Sequence, residues 1–349
     1  MQVIEANMKK SNHGKTGVLL VNLGTPDSTK TSDVRKYLRE FLMDKRVIDI
    51  PFLLRWMLVN LIIAPFRAPK SAKEYRKLWV ERGSPLKFYG EDVKELLQNE
   101  LDENYVVALG MRYQSPSIKN ALEELRNHKV AKIIVVPLFP QYASATSGSV
   151  HDKVMEIVQE WQIIPQLNFI STFVEEPGFY KTFASLGKKY LDKHKYDHVI
   201  FSFHGLPERQ IRKGSVDNYC KLGSCCNVYH DKNRFCYRAQ CFQTARLIAN
   251  ELNLSEDQYT VTFQSRLGND PWIKPYTDEV LKDLPKEGKK SVLAFSPAFV
   301  SDCLETTIEV GEEFKEEFEE AGGERWDLVE SLNDNKDWVE TLKSLVLRN

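Results

Sequence analysis

The sequence predicts an α/β protein made of two Rossmann-like, doubly wound halves with parallel sheets. Three observations carry this. The apolar runs, such as 17–23, 131–138 and 197–203, are short, continuous and rich in Val, Ile, Leu and Phe. Strands buried on both faces read that way. Helical segments alternate with them, as a parallel sheet with crossover helices requires. The 349 residues, with about eight such strands, fit two sheets better than one.

The elements follow in order. Residues 17–23 are a buried strand closed by Gly24-Thr25-Pro26, and a helix follows near 30–42. Residues 51–66 form an apolar stretch, and helices are expected near 69–82 and 87–101. A strand at 104–109, a helix at 116–127 after Ser115-Pro116, and a strand at 131–138 continue the alternation. A helix near 146–160 and a strand near 167–171 complete the first half, and the break lies between 165 and 178. The second half has strands near 197–203, 259–264 and 290–296, with helices near 176–194, 240–252 and 302–320. The halves run 16–170 and 171–334, and a closing helix at 335–347 folds back onto the first.

Composition narrows the function. Charged residues make up 28% and hydrophobic ones 42%, with a net charge of −1, so nucleic acid is not an expected partner. The polar start, residues 1–15, lacks the apolar run of a secretory signal, so a cytoplasmic location is expected. The 51–66 stretch is shorter than the ~20 residues of a membrane span. It is bracketed by Pro51 and Pro65 and carries Arg55 and Asn60. Two readings stand: a buried core helix, or an apolar lip exposed to a greasy ligand or resting on a membrane surface.

The strand at 197–203 delivers His204 to its carboxyl end, where Gly205 and Pro207 stop it. That edge is where parallel sheets bind ligands, and histidine accepts a proton or a metal near neutral pH. A histidine there also serves simply to bond neighbouring backbone, but the sharp exit favours a functional role. Glu305 opens a helix after the strand at 290–296 and so faces the same edge. Asp302 as N-cap with Glu305 three residues on also resembles a capping box. An imidazole and a carboxylate in one cleft suit proton removal combined with handling of a divalent metal. Glu305, Glu309, Glu313 and Glu317 recur every fourth residue, either as a solvated acidic face or as a route handing cations to Glu305. Residues 137–148 are rich in hydroxyls and backbone donors suited to carboxylates. Arg112, beside Tyr113, is placed to pair with an anion, and Trp272 to stack on a flat ligand or to pack. Neither a Gly-x-Gly-x-x-Gly nor a Walker loop is present, which disfavours nucleotides.

Five of six cysteines, Cys220, Cys225, Cys226, Cys236 and Cys241, fall in one segment. In an intracellular chain such density reads as metal or iron–sulfur ligation before disulfides. Adjacent Cys225 and Cys226 suit zinc poorly, and five thiols exceed the four of a 2Fe–2S cluster.

Together these residues resemble the ferrochelatases, which insert ferrous iron into a porphyrin. The likeness runs along nearly the whole chain: Leu19–Pro26, Arg82–Leu86, Gly110–Tyr113, Pro137–Tyr142, Ser202–Pro207, Pro271-Trp272 and Phe299–Thr306. It implies a porphyrin held between the halves, with His204 and Glu305 as the metal-site pair. It implies Arg112, Tyr142, Trp272 and Phe299 lining the cleft, with Tyr113 beside them, and 51–66 as an apolar lip in peripheral contact with a membrane. Many members lack the cysteine segment, whereas some microbial ones resemble it and are thought to hold a 2Fe–2S cluster there. The expected activity is insertion of Fe²⁺ into protoporphyrin IX or coproporphyrin III with release of two protons, a lyase step of haem biosynthesis. The apolar lip leans toward protoporphyrin. The alternatives are a cobalt chelatase of another tetrapyrrole, usually a shorter chain without such a lip, and a non-catalytic haem or iron–sulfur sensor.

Overall fold

The computed structural model describes residues 14–266, 268 and 270–349. The polar start through residue 13, read above as lacking a secretory signal, lies outside the described residues, as do Leu267 and Asn269.

In the first half, β1 (Thr16–Gly24) pairs in parallel with β2 (Tyr105–Tyr113) and β3 (Lys132–Pro137), and β4 (Gln166–Phe169) extends the sheet beyond β3. The order is β2-β1-β3-β4. The second half repeats it: β5 (His198–His204), β6 (Tyr259–Gln264), β7 (Ser291–Phe295) and β8 (Arg325–Leu328) run parallel in the order β6-β5-β7-β8. Each sheet reverses its direction of growth beside its first strand. The carboxyl ends of β1 and β5 therefore sit at the switch points where such sheets bind ligands.

The helices of the first half are α1 (Thr31–Leu42), α2 (Phe52–Leu78), α3 (Pro85–Glu100), α4 (Ile118–Asn127) and α5 (Ser149–Val158). Those of the second are α6 (Pro177–Leu191), α7 (Glu208–Lys213), α8 (Tyr237–Glu251), α9 (Thr277–Asp283) and α10, which opens as a π-helix (Leu304–Glu313) and closes as an α-helix (Phe314–Glu320). The last helix, α11 (Lys336–Arg348), packs on α3 and α6. Its Trp338 lies against Phe173 and Phe179, with ring centroids 5.5 and 6.4 Å away. A single core runs through both sheets, from Leu20 and Val136 to Phe201 and Phe295.

Two expectations change. The segments 51–66 and 69–82 are one helix, α2, despite Pro65 and Pro69. Proline lacks the N–H that an α-helix interior needs. Here Leu58–Ile63 widen into π turns, with the Ala64 N–H bonding Val59 five residues back, and the helix continues past the prolines. The strand β8 was not singled out from the sequence, because four residues including Arg325 and Asp327 carry no apolar run.

Gly24 fixes the end of β1. It has φ +111°, and a Cβ there would lie 1.9 Å from the Tyr113 carbonyl oxygen. Gly24→Ala should destabilise the fold by about 3 kcal/mol or more, combining a disfavoured φ with a backbone collision. A denaturant midpoint shifted by less than the equivalent of about 1 kcal/mol contradicts this.

Candidate active site

His204 ends β5 half-buried. Its Nδ1 lies 2.7 Å from the Gly205 carbonyl oxygen, which can only accept, so Nδ1 carries the proton. The Nε2 lone pair is left to act as base or ligand. The Tyr237 hydroxyl donates to the His204 carbonyl at 2.8 Å, and the Trp272 ring sits 6.4 Å from the imidazole. Gly205 must be glycine: a Cβ would come within 2.8 Å of the Gln264 carbonyl and 3.1 Å of Trp272.

The partner of His204 across the sheet is Gln264, the last residue of β6. Its carbonyl accepts the Gly205 N–H at 2.8 Å, and its Oε1 accepts the Ser202 hydroxyl at 2.6 Å. Its Nε2 donates to the Glu305 carbonyl at 3.3 Å and to the Glu309 carboxylate at 3.1 Å. This buried side chain fastens the histidine turn to the glutamate helix. Sequence reasoning missed it, because a polar residue ending a strand is an ordinary terminator. Its place opposite His204 in register was the available signal.

Glu305 does not cap its helix. The N-cap is Cys303, whose side chain accepts the Thr306 N–H while the Thr306 hydroxyl accepts from the Cys303 N–H at 2.9 Å. Asp302 instead accepts from the Ser331 N–H at 3.1 Å and the Asn333 amide at 2.8 Å. The capping-box reading of Asp302 and Glu305 is therefore corrected, and the Glu305 carboxylate is free of that task. It faces the first half, where its charge and burial together raise the Tyr37 and Tyr75 hydroxyls well above the usual range, burial being the larger cause. These two tyrosines, buried on α1 and α2 and edge-on at 6.3 Å, were also missed. At sequence level they are indistinguishable from core positions of amphipathic helices.

Glu309 accepts from Ser265 Oγ at 2.5 Å as well as from Gln264. Burial raises its carboxyl above the usual range, Ser265 and His204 oppose this, and the Glu305 charge adds to it. Three groups, His204, Glu305 and Glu309, thus share one field. Glu313 lies farther out and is raised by burial and then by Glu74. Glu317 leaves the row by pairing with Lys282 at 2.8 Å.

Arg112 is not left unpaired. Its Nη2 meets Asp44 at 2.6 Å and its Nε meets Ser149 Oγ at 2.6 Å. The Tyr113 hydroxyl donates to the same Asp44 at 2.9 Å, and Tyr113 is fully buried. Tyr113 therefore backs Arg112 rather than lining an open surface. Burial alone would raise Asp44, but Ser149, the Arg46 N–H, Arg112 and Tyr113 hold it below the usual carboxylate range. The 137–148 loop ends in a π turn, Ser144–Gly148, and Arg46 reaches its Ser144 hydroxyl at 3.1 Å. Tyr142, Trp272 and Phe299 are each half-buried. All three π segments, at 58–63, 144–148 and 304–313, lie in elements singled out for the site.

The loop before α2 is tied to the helix after His204: Asp49 takes both Arg209 and Lys213, the latter at 2.5 Å. Arg55 is buried and donates to the Ile48 and Ile50 carbonyls at 3.1 and 3.0 Å, and Asn60 bonds the Trp56 carbonyl. With both polar groups turned inward, the exposed residues of α2 between Phe52 and Phe66 are all apolar, and charged ones begin only at Arg67. Phe66 is 79% exposed, Leu53 65% and Phe52 64%, so this stretch is not a buried core helix. Helix α2 is long and apolar enough to cross a membrane by length and composition, but its buried row of Ala64, Ala68, Ala72 and Tyr75 packs on α1 and α10.

The cysteines divide. Cys220, Cys225, Cys226 and Cys236 line one small pocket, with Tyr219, Asn233 and Phe235. Cys236 caps α8; Cys226 and then the Ala239 and Arg238 N–H groups hold its thiol below the usual range against burial. The Lys221 N–H points at Cys225 Sγ from 3.3 Å. Cys241 is not in this pocket. Helix α8 starts at Tyr237 rather than near 240, so Cys241 lies inside it, fully buried in the main core beside Tyr237. Among the described residues no three His, Cys, Asp or Glu side chains converge tightly enough to hold one metal ion.

A family model for ferrochelatase matches residues 15–349. A ferrochelatase from Legionella pneumophila (strain Lens) is 46% identical over 332 residues, covering 95% of this chain and 98% of the relative. One from Bdellovibrio bacteriovorus is 44% identical over 333 residues, covering 95% and 99%. One from Coxiella burnetii (strain Dugway 5J108-111) is 43% identical over 343 residues, covering 97% and 95%. Among solved structures, SirB from Bacillus subtilis with Fe3+ superposes with a TM-score of 0.52 at 11% identity, over 96% of this chain and 95% of that one. At that identity the likeness establishes the shared two-sheet fold and nothing finer.

Proposed function

The chain belongs to the ferrochelatase family, and on that premise we propose that His204 and Glu305 flank the porphyrin centre during insertion of Fe²⁺. The observation that carries this is the Gln264 bridge, which holds the His204 turn and the Glu305 helix in one fixed relation.

A porphyrin loses two pyrrole protons as the metal enters. His204, with Nδ1–H committed to the Gly205 carbonyl, presents Nε2 as the acceptor for a pyrrole proton. Glu305, with Glu309 one turn on, offers carboxylate oxygens to the incoming Fe²⁺, which leaves His204 to act as base rather than as iron ligand. Glu313 and Glu309 form the route along which Fe²⁺ reaches Glu305. Tyr142, Trp272 and Phe299 line the cleft around the macrocycle. Arg112, held by Asp44, presents positive charge to a propionate edge. A tight cleft that bends the ring turns its nitrogen lone pairs toward the metal and stabilises a geometry nearer the transition state. The purified chain should insert zinc into a dicarboxylate porphyrin, read as a fluorescence shift. Porphyrin binding without insertion would favour the sensor reading instead.

The cysteine pocket fits a 2Fe–2S cluster in its donor set: four thiols around one space, one of them, Cys236, at the N-cap position of α8 with its pKa lowered first by Cys226 and then by backbone N–H groups. Cys220, Cys225, Cys226 and Cys236 are the ligands in this reading. Such a cluster supplies one-electron chemistry, which inserting Fe²⁺ unchanged in oxidation state does not use.

The apolar face of α2 supports peripheral membrane contact and admission of a hydrophobic porphyrin such as protoporphyrin. Leu53→Glu with Phe66→Glu should weaken binding to phosphatidylcholine vesicles by about tenfold or more, since burying each side chain is worth about 1.5–3 kcal/mol. Unchanged cosedimentation would remove the lip from membrane contact.

A further inference from the structure

Helix α8 connects the cysteine loop to the Tyr142 loop through a single buried side chain. Gln240 is fully buried, one turn inside the helix that Cys236 caps. Its Oε1 accepts the Tyr142 N–H at 2.6 Å, and its Nε2 donates to the Arg234 carbonyl at 2.5 Å. The amide satisfies both groups in only one orientation, so it links them rigidly. One turn on, Thr244 accepts from Gln141 Nε2 at 3.0 Å, and the same nitrogen lies 3.3 Å from the Pro297 carbonyl. The Tyr142 backbone and the Gln141 side chain of the first half are thus held by α8, and Gln141 also by the loop after β7.

The other end of the link is an ordered loop. Asn233 donates to the Cys225 and Val228 carbonyls at 2.8 and 2.7 Å and accepts the His230 N–H at 2.9 Å. Its own carbonyl accepts the Cys236 N–H at 2.8 Å. Tyr229 Oη donates to the Arg234 carbonyl at 3.0 Å, the same oxygen that Gln240 holds.

We propose that Gln240 is a positioning residue that transmits the order of the cysteine loop to the Tyr142 backbone and thereby sets porphyrin affinity. The inference rests on the reading of Tyr142 as a cleft residue. The Gln240 link acts on binding rather than on the chemical step, because it ends at Tyr142; the separate contact of α8 with the His204 turn, from the Tyr237 hydroxyl to the His204 carbonyl, is left in place in the Gln240 variant.

Steady-state zinc insertion into a dicarboxylate porphyrin, with the full chain at its native metal content, tests this in four variants and one double variant. Gln240→Met keeps the volume and removes both hydrogen bonds. It should raise porphyrin KM about five- to tenfold, the scale of one buried hydrogen bond, with kcat changed less than KM. Tyr229→Phe and Asn233→Ala should each raise KM on their own. Tyr229→Phe combined with Gln240→Met should stay within about twofold of Gln240→Met alone, since the second change acts through a link already cut. Independent, multiplicative effects in that double variant overturn the proposal. So does a Gln240→Met protein whose kcat and melting point fall while KM stays, which is a purely structural role. Tyr142→Ala separates the two levels. If it leaves KM unchanged, the cleft reading fails and the inference with it. If it raises KM while Gln240→Met does not, only the coupling fails.

Discussion

His204→Ala should lose metal insertion by about a thousandfold while porphyrin affinity stays within about threefold of the wild type. The first figure is the scale of a positioned general base. The second follows from geometry. The ring is anchored by one bond to its own turn, and its Nε2 is directed away from that bond, so removing it deletes no hydrogen bond that shapes the cleft and only a ring contact with Trp272. The backbone around it is held independently, by Tyr237 on the His204 carbonyl and by Gln264 on the Gly205 N–H. Fold stability should therefore change little. Single-turnover zinc insertion measured beside a porphyrin fluorescence titration separates the two quantities. Near-normal turnover with intact binding removes His204 from the chemistry.

If the proposed cluster is present, single cysteine-to-serine variants at 220, 225, 226 and 236 should each lose the visible absorption and most of the iron and sulfide of anaerobically purified protein, whereas Cys241→Ser should keep both. The division follows from α8. Cys236 stands at its N-terminus, facing the pocket, while Cys241 lies five residues inside, fully buried against Tyr237. For Cys241 to ligate with the other four, the first turn and a half of α8 would have to unwind and vacate the core, breaking the Gln240 and Thr244 bonds with it. A variant pattern in which Cys241→Ser loses the cluster and one of the other four retains it contradicts the assignment.

Much of the site was legible because strand ends obey simple grammar. An apolar run stopped by Gly and Pro locates His204, and the run before Ser296-Pro297 locates the helix of Glu305. Two parallel-sheet halves follow from the same alternation, all but the edge strand β8. What was hidden depends on tertiary contact. Gln264 gains its role only when β6 pairs with β5 and α10 arrives above it. Arg112 looks free in sequence, but the segment before α2 brings Asp44 to it over 68 positions. The π turns escape a search for a 3.6-residue period, so α2 was split at Pro65 and Glu305 was placed one position too deep for a cap. That Cys241 stands apart from the other four thiols shows only once the start of α8 is known.

The most direct measurement is the structure of the chain with a dicarboxylate porphyrin bound. The account predicts the macrocycle between the two sheets, its four nitrogens between His204 Nε2 on one face and the Glu305 carboxylate on the other, with Tyr142, Trp272 and Phe299 against its rim. A porphyrin seated elsewhere, or seated with His204 and Glu305 out of reach of its centre, contradicts it.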